Sequence, residues 1–255
     1  MRRPLSAVVI GGASGIGAAI VRAMAADGYV VTVADRDAGG AEALAADLGG
    51  EHAAADVEVS DEGRVASLFD SVRTRQGRLD VAVNCAGVNA LGLVTDLPAE
   101  KFRRVLDVCL TGAYLVIKHA ARRMAEGGSI VSLSSLNARQ PGTGMAAYCS
   151  AKAGLSMLTE VAALELAPRV RVNAVAPGLV RTPLTAAALT VPGVEQDYLE
   201  NIPLGRSGTP EEVADAVLFL ARAQWLTGEV LDLNGGAHLM RYPDVPRHFA
   251  HVDNH

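Results

Sequence analysis

Short apolar segments alternate along the chain with longer stretches in which apolar residues recur at helical spacing. The short segments predict buried strands, at residues 7–10, 30–34, 79–83, 129–133, 170–175 and 230–233. The longer stretches predict helices, at residues 15–27, 41–48, 62–75, 99–126, 147–166 and 210–221. Such regular alternation favours right-handed crossovers and a parallel sheet covered by helices on both faces. The pattern therefore predicts an α/β, doubly wound Rossmann-type fold.

A single domain is expected to span residues 1–255, because no linker, charge block or shift in composition precedes the last fifteen residues. In doubly wound folds, ligands bind beyond the carboxyl ends of the strands. The loops that follow the predicted strands are therefore the places where chemistry is expected.

Composition and charge narrow the range of partners. Half of the residues are hydrophobic and the formal net charge is -5, which gives no basic surface for nucleic acid or for anionic lipid. No stretch reaches the roughly 18 apolar residues that a membrane span needs, and the apolar run after Arg3 ends in glycines too early for a signal peptide. Small-molecule partners, no membrane association and a cytoplasmic location are expected.

The cysteines and histidines do not form a recognisable ligand pattern. An odd number of cysteines without pairing spacing predicts buried thiols rather than a disulfide framework, at Cys85, Cys109 and Cys149. Three histidines near the C-terminus lack acidic or cysteine ligands at a known metal-binding spacing, namely His248, His251 and His255. No metal site is expected.

A glycine-rich sequence, GGASGIG, joins the first predicted strand to the first predicted helix and contains Gly11, Gly15 and Gly17. Glycine at such a junction lets the backbone approach a pyrophosphate, whose charge meets the helix N-terminus. A tight structural turn is the alternative, since a glycine string alone is weak evidence. Ser14 and Ile16 of the same loop are expected to line the dinucleotide site.

Asp35 ends the second predicted strand, 18 residues after Gly17. A carboxylate at this position can accept hydrogen bonds from the adenosine ribose hydroxyls, and it would repel the 2′-phosphate of NADP. Arg36 could serve that phosphate, but it is expected to lie beside the adenine or to face solvent. These residues favour NAD as the cofactor, the alternative being that Asp35 is only a solvated acid at a strand end.

Tyr148 and Lys152 are four residues apart on a predicted helix, which puts them on one face about 5 Å apart. Tyrosine is a poor base at neutral pH, but a neighbouring ammonium and a positively charged nicotinamide favour the phenolate. A hydroxyl at the end of the strand 129–133 could polarise the substrate oxygen, and both Ser134 and Ser135 are candidates. Separately, the tyrosine reads as a core aromatic and the lysine as a surface residue; together they indicate an acid-base site.

With these motifs the chain resembles the short-chain dehydrogenase/reductase family over residues 7–237. The resemblance implies a seven-stranded sheet, NAD(P) binding, a Ser-Tyr-Lys catalytic set and a homotetramer or homodimer. The separation of 13 residues from Tyr148 that the family has selects Ser135 over Ser134. Matching segments imply further cofactor contacts beside Tyr148 and Lys152, at Asp56, Val57, Asn84, Ala86, Gly87, Pro177, Gly178, Val180 and Thr182.

Two positions depart from the family pattern. Ile10 stands where threonine is usual, so a hydrogen bond that braces the glycine loop is expected to be missing. Cys109 aligns with the family's fourth catalytic residue, an asparagine that helps to hold a water in a proton relay from the lysine to solvent. A thiol is a weak substitute, but a helix kink that presents the backbone carbonyl of Cys109 would preserve the relay.

The sequence thus predicts an NAD-dependent oxidoreductase that acts on a secondary alcohol or ketone, with residues 183–204 as an apolar substrate-binding lid. Two alternatives remain open, a 3-oxoacyl reductase of the fatty-acid type and a catalytically idle NAD-binding sensor or scaffold. The helix over 99–126 and the helix after Tyr148 are candidates for a subunit interface. The tail 241–255 is expected to pack on a neighbouring subunit, because it is too apolar for a solvated end.

Overall fold

Seven strands form one sheet in the computed structural model, which describes residues 4–243, and every pair of neighbouring strands is parallel. Their order across the sheet is β3-β2-β1-β4-β5-β6-β7. The strands are β1 (Ser6–Ile10), β2 (Val30–Asp35), β3 (Ala53–Asp56), β4 (Val81–Asn84), β5 (Gly128–Leu133), β6 (Val170–Pro177) and β7 (Val230–Leu233). The predicted doubly wound fold with a seven-stranded parallel sheet is confirmed.

Helices cover both faces of the sheet and bury two separate apolar layers. In chain order, the α-helices of the described residues are α1 (Gly15–Ala26), α2 (Ala38–Leu48), α3 (Glu62–Gln76), α4 (Ala99–Leu106), α5 (Gly112–Arg123), α6 (Ala146–Leu166), α7 (Pro183–Leu189), α8 (Val194–Glu200) and α9 (Pro210–Arg222). The short helices α7 and α8 do not belong to the layers that cover the sheet. Because successive strand residues point to opposite faces, Val8 packs with the layer under α3, α5 and α6, whereas Val9 packs with the layer under α1, α2 and α9.

Two elements differ from the sequence prediction. The edge strand β3 has the sequence AAAD and is only half-buried, so it lacks the run of large apolar residues that identified the other strands. The continuous helix predicted over 99–126 is interrupted by a π-helical turn, Asp107–Thr111, and α5 ends at Arg123. Apolar periodicity does not reveal one extra residue in a helical turn, because the buried face continues across it.

Residues 183–204 lie beyond the carboxyl ends of the strands and contain the short helices α7 and α8. The sequence pattern had predicted a lid here but no helices, since each is only seven residues long. A proline at the first position of α7, Pro183, favours the start of that helix.

An apolar stripe remains exposed on the outer face of α6, at Met157, Val161 and Leu164, and the Leu164 side chain is 84% exposed. Within residues 4–243 no helix has the length and apolar character needed to cross a bilayer, and no cluster of three His, Cys, Asp or Glu residues in that range could hold a metal ion. The three C-terminal histidines and residues 244–255 of the tail lie outside the described part of the chain.

Candidate active site

The glycine loop between β1 and α1 packs so closely on its neighbours that two positions have no room for a side chain. A Cβ on Gly11, whose φ is 73°, would lie 2.8 Å from the amide nitrogen of Ala86 in the turn after β4. A Cβ on Gly17 would lie 1.9 Å from the carbonyl oxygen of Gly11. The loop therefore leaves its backbone bare at the start of α1, which is the geometry that fits a dinucleotide pyrophosphate.

The Asp35 carboxylate is fixed against this loop at the end of β2. Its Oδ2 accepts a hydrogen bond from the amide of Ala13 at 3.0 Å, and its Oδ1 accepts one from the amide of Asp37 at 3.0 Å. Each carboxylate oxygen can accept a second hydrogen bond. Next to it the Arg36 side chain is exposed, as predicted. The Asp35 carboxylate therefore has a fixed orientation at the rim of the cleft, and each of its oxygens can still accept one more hydrogen bond.

Tyr148 and Lys152 lie on the first turns of α6, and the Lys152 side chain is only 3% exposed. Its Nζ donates a hydrogen bond to the carbonyl oxygen of Leu133, at the end of β5, at 2.6 Å. The same Nζ lies 5.5 Å from the centre of the Tyr148 ring. The hydrogen bond ties α6 to the carboxyl end of β5 and brings the ammonium beside the tyrosine.

The two candidate serines after β5 have different surroundings. The Ser134 hydroxyl shares a hydrogen bond with the Ser156 hydroxyl at 2.9 Å and donates to the carbonyl oxygen of Lys152 at 3.4 Å. The Ser135 hydroxyl accepts from the amide of Asn137 at 3.1 Å. The hydroxyl of Ser134 is thus engaged with α6, whereas that of Ser135 lies where two cavities meet.

These two cavities share a boundary at the predicted catalytic residues. One is a cleft of about 290 Å³ along the glycine loop and Asp35, and the other is a cavity of about 130 Å³ between α7, α8 and the segment after β7. Ser135 and Tyr148 line both, whereas Lys152 lines only the cleft. A molecule in the small cavity would therefore meet a molecule in the cleft beside these two hydroxyls.

Most residues predicted to bind the cofactor line the cleft. They are Gly11, Ser14, Gly15, Ile16, Gly17, Asp35, Arg36, Val57, Ala86, Gly87, Tyr148, Lys152, Pro177, Gly178, Val180 and Thr182. Asp56 is not among the lining residues, and its carboxylate pairs with Arg64 at 3.0 Å. Asn84 is also absent from the lining; its Oδ1 accepts from the amide of Ala86 at 3.2 Å and shapes the turn.

Several lining residues were not predicted from the sequence. The cleft also contains Glu58, Val59, Val88, Arg104, Val108 and Leu133, and the small cavity contains Asn89, Asn137, Gln140 and Tyr242. Arg104 reaches the cleft from α4 and pairs with Glu58 at 2.9 Å. No local motif marks these residues, because they meet only when loops distant in sequence come together.

Cys109 belongs to the π-helical turn and is buried behind the cleft. Its Sγ accepts a hydrogen bond from the amide of Val88 at 3.4 Å, and the thiol donates to the carbonyl oxygen of Val88 at 3.3 Å. A Cβ on Gly87 would lie 3.9 Å from both this Sγ and the Nζ of Lys152. Cys109, which stands where the family has an asparagine, is thus hydrogen-bonded to the backbone of Val88, and its thiol lies close to Lys152.

Cys85, in the same turn after β4, is half-buried, and desolvation raises the pKa of its thiol to about 12, although the nearby Lys152 charge acts in the opposite direction. A thiol of this kind stays protonated and is a poor nucleophile. Cys85 lines the cleft itself, so the buried position expected for its thiol is met only in part.

A doubly wound parallel sheet with a bare glycine loop after its first strand is the architecture of a dinucleotide-binding protein. A family model described as enoyl-(acyl carrier protein) reductase matches residues 11–238. The chain belongs to the short-chain dehydrogenase/reductase family, and the predicted resemblance is confirmed.

Individual relatives cover nearly the whole chain. It is 39% identical over 236 residues to human 3-oxoacyl-[acyl-carrier-protein] reductase, with 91% of this chain and 97% of that protein covered. It is 37% identical over 237 residues to carbonyl reductase family member 4 of Danio rerio, with 92% and 98% covered. The structure of a short-chain type dehydrogenase/reductase from Mycobacterium ulcerans superposes with a TM-score of 0.93 at 34% identity, covering 97% of this chain and 94% of that one.

The bare backbone of the glycine loop yields a first test. Gly17→Ala is expected to weaken NADH binding at least tenfold, about 1.4 kcal/mol, because the new Cβ forces the loop away from its position. Titration of NADH fluorescence measures the change. Gly39→Ala is the matched control, since a Cβ there would approach only Asp37 Oδ1, at 3.8 Å. Equal NADH affinities in the two variants would contradict the assignment of the loop to the pyrophosphate.

Proposed function

We propose that this protein is an NAD-dependent oxidoreductase that interconverts a secondary alcohol and its ketone, with Tyr148 as the acid-base residue. The observation that carries the proposal is that Ser135 and Tyr148 line both the dinucleotide cleft and the small cavity beside it. A substrate carbonyl or carbinol group held in the cavity would meet both hydroxyls at the point where hydride transfer to or from the cofactor takes place.

The bound nicotinamide supplies or accepts the hydride. In oxidation the Tyr148 oxygen takes the proton of the substrate alcohol, and in reduction the Tyr148 hydroxyl returns it to the ketone oxygen. The Ser135 hydroxyl donates a hydrogen bond to that same oxygen and stabilises the charge that develops there. The Lys152 ammonium stabilises negative charge on the Tyr148 oxygen, and its N–H groups not used by Leu133 are available to the nicotinamide ribose.

Asp35 is the basis for proposing NAD rather than NADP. Its carboxylate is oriented by the amides of Ala13 and Asp37 and retains acceptor capacity for the ribose hydroxyls. A 2′-phosphate at the same place would bring a second anion against a fixed carboxylate, which is unfavourable at such short range.

The cavity supports an apolar substrate, and residues 183–204 are proposed to act as its lid. Leu184, Leu189 and Ile202 of this segment line the cavity, and their burial against a bound substrate would favour a hydrophobic alcohol or ketone. The exposed stripe on α6 is proposed to be covered in a homotetramer or homodimer. The cytoplasmic location stays a prediction.

Reduction of a 3-oxoacyl group is the second candidate, favoured by the relatives that carry that name at 39% and 37% identity. The 3-oxo group of a carrier-bound 3-oxoacyl thioester is also a ketone. Ser135 and Tyr148 would therefore act on its oxygen in the same way. Comparing the rates with a simple ketone and with a 3-oxoacyl thioester distinguishes the two candidates.

The choice of cofactor can be tested at Asp35. The wild type is expected to bind NADH at least tenfold more tightly than NADPH, about 1.4 kcal/mol. Asp35→Asn keeps the size of the side chain and removes its charge. The ratio of NADH affinity to NADPH affinity is therefore expected to fall, mainly because NADPH binds more tightly. Fluorescence titration with both nucleotides measures this. Equal wild-type affinities would overturn the proposal that NAD is the cofactor.

The acid-base role can be tested at Tyr148. Tyr148→Phe is expected to lower kcat at least a hundredfold, within the usual range of general acid-base catalysis, while NADH affinity changes only a fewfold. Ser135→Ala is expected to lose less, since it removes one hydrogen bond. Tyr114→Phe is the control, because Tyr114 is half-exposed on α5 and lines neither cavity. Retained turnover in Tyr148→Phe would refute the assignment.

Cys109 tests whether the protein is a working enzyme or an idle NAD binder. The wild type is expected to be active, because the π-helical turn supplies the kink on which the preserved relay depends. Cys109→Asn is expected to raise kcat by no more than about tenfold, or 1.4 kcal/mol, chiefly where proton release limits the rate. Cys109→Ala should give no gain, since it adds no hydrogen-bonding group. Turnover over a panel of secondary alcohols and pH values measures these effects, and activity in Cys109→Asn alone would identify the natural protein as a binder.

A further inference from the structure

We propose that Tyr242, held in place by Tyr198, is a wall of the substrate cavity that restricts the enzyme to compact, uncharged ketones and alcohols. The inference rests on the proposed function, because it names the class of substrate that the same cavity would take. Both tyrosines line the small cavity together with Tyr148. Tyr242 lies beyond residues 11–238, the part of the chain that the family model matches.

The Tyr242 ring is held by direct contacts on two sides. Its hydroxyl is 2.9 Å from the hydroxyl of Tyr198, and the two rings meet edge to face with their centroids 5.8 Å apart. On another side the ring packs on Gly142, where a Cβ would lie 2.7 Å from the Tyr242 Cε1 atom. Only glycine at this position allows the ring to lie so close to the loop that precedes α6.

The backbone around Tyr242 is also anchored. The side-chain amide of Gln140 donates hydrogen bonds to the carbonyl oxygens of Ala237 and Met240. Arg241 pairs with the carboxylate of Asp197 on α8 at 3.2 Å, and Asp197 is 3% exposed. The segment after β7 is thus joined both to the loop before α6 and to α8, and moving the ring itself would break its contacts with Tyr198 and Gly142.

The volume of the cavity favours a small substrate. It measures about 130 Å³, close to the roughly 150 Å³ void that holds one benzene molecule and below the roughly 300 Å³ lower limit for drug-sized ligands. A ketone with one aromatic ring is therefore close to the cavity in size, and we expect a second ring to meet Tyr242, which lines the cavity.

The charges around the cavity favour a neutral substrate. Arg241 is the charged side chain among the described residues that line it, and the buried Asp197 carboxylate offsets that charge. Burial raises the pKa of both Tyr198 and Tyr242 above the usual value for tyrosine, so both hydroxyls stay neutral. A charged substrate would lose its hydration on entering the cavity, and the described residues that line the cavity offer it no unpaired opposite charge in return.

The test is equilibrium binding of acetophenone and of 4-acetylbiphenyl to the protein saturated with NAD⁺, measured by calorimetry. With the oxidised cofactor no ketone is consumed, so the measurement does not depend on turnover. The wild type is expected to bind acetophenone at least tenfold more tightly than 4-acetylbiphenyl. Tyr242→Ala and the milder Tyr242→Leu are expected to reduce that ratio, with Tyr242→Ala reducing it at least tenfold.

Two controls accompany these variants. Tyr242→Phe keeps the ring and should retain the wild-type ratio, as should Tyr114→Ala, which alters a half-exposed tyrosine outside the cavity. NADH titration confirms that each variant is folded. An unchanged ratio in both Tyr242→Ala and Tyr242→Leu, or no binding of acetophenone to the wild type, would overturn the inference. Binding in the expected order without reduction of either ketone by NADH would overturn the proposed function and leave the inference standing.

Discussion

The hydrogen bond from the buried Lys152 ammonium to the Leu133 carbonyl oxygen joins the two elements that carry the proposed chemistry. An ammonium removed from water costs several kcal/mol unless it finds a partner, so this contact constrains how α6 docks on β5. Because Tyr148 is one turn away on α6 and Ser135 is two residues beyond Leu133, the docking also sets the position of their hydroxyls. A change in the packing of α6 would therefore separate the proposed acid-base pair from its polarising serine.

The same edge of the sheet serves two molecules of different character. The glycine loop and Asp35 offer bare amides and a carboxylate to a polar dinucleotide, while α7, α8 and the segment after β7 surround a small, largely apolar cavity. A parallel sheet makes this division possible, since the carboxyl ends of all its strands, and hence all their loops, lie at one edge. The reacting groups are where the two regions meet.

In the proposed relay, the backbone of the π-helical turn between α4 and α5 takes the place of the asparagine side chain. The thiol of Cys109 is occupied by the backbone of Val88, so it is poorly suited to hold a water. A π turn changes which carbonyl groups the helix uses internally, and the proposed relay depends on the backbone at this turn. The substitution of an asparagine by a cysteine is therefore compatible with the proposed activity.

The alternation of apolar strands and amphipathic helices was sufficient to predict the doubly wound fold, because strand and helix periodicities are local and the connection rules leave few topologies. Local motifs likewise identified the glycine loop, Asp35 and the Tyr148–Lys152 pair, since each depends on spacing within one element or one junction. The apolar pattern alone did not reveal the strand β3 or the π turn, because three alanines give a weak apolar signal and one extra residue in a helical turn leaves the buried face unchanged.

Outside residues 183–204, the walls of the small cavity were decided only by the tertiary structure. Tyr242 meets Tyr198, 44 residues away in sequence, and Gly142, 100 residues away, and nothing near any of the three marks the contact. A matching motif predicts Asp56 and Asn84 as cofactor contacts, and only the structure shows that Asp56 pairs with Arg64 and that Asn84 supports the turn after β4. A side chain's neighbours across the fold depend on how loops close over the sheet, and that closure is a property of the whole packed chain.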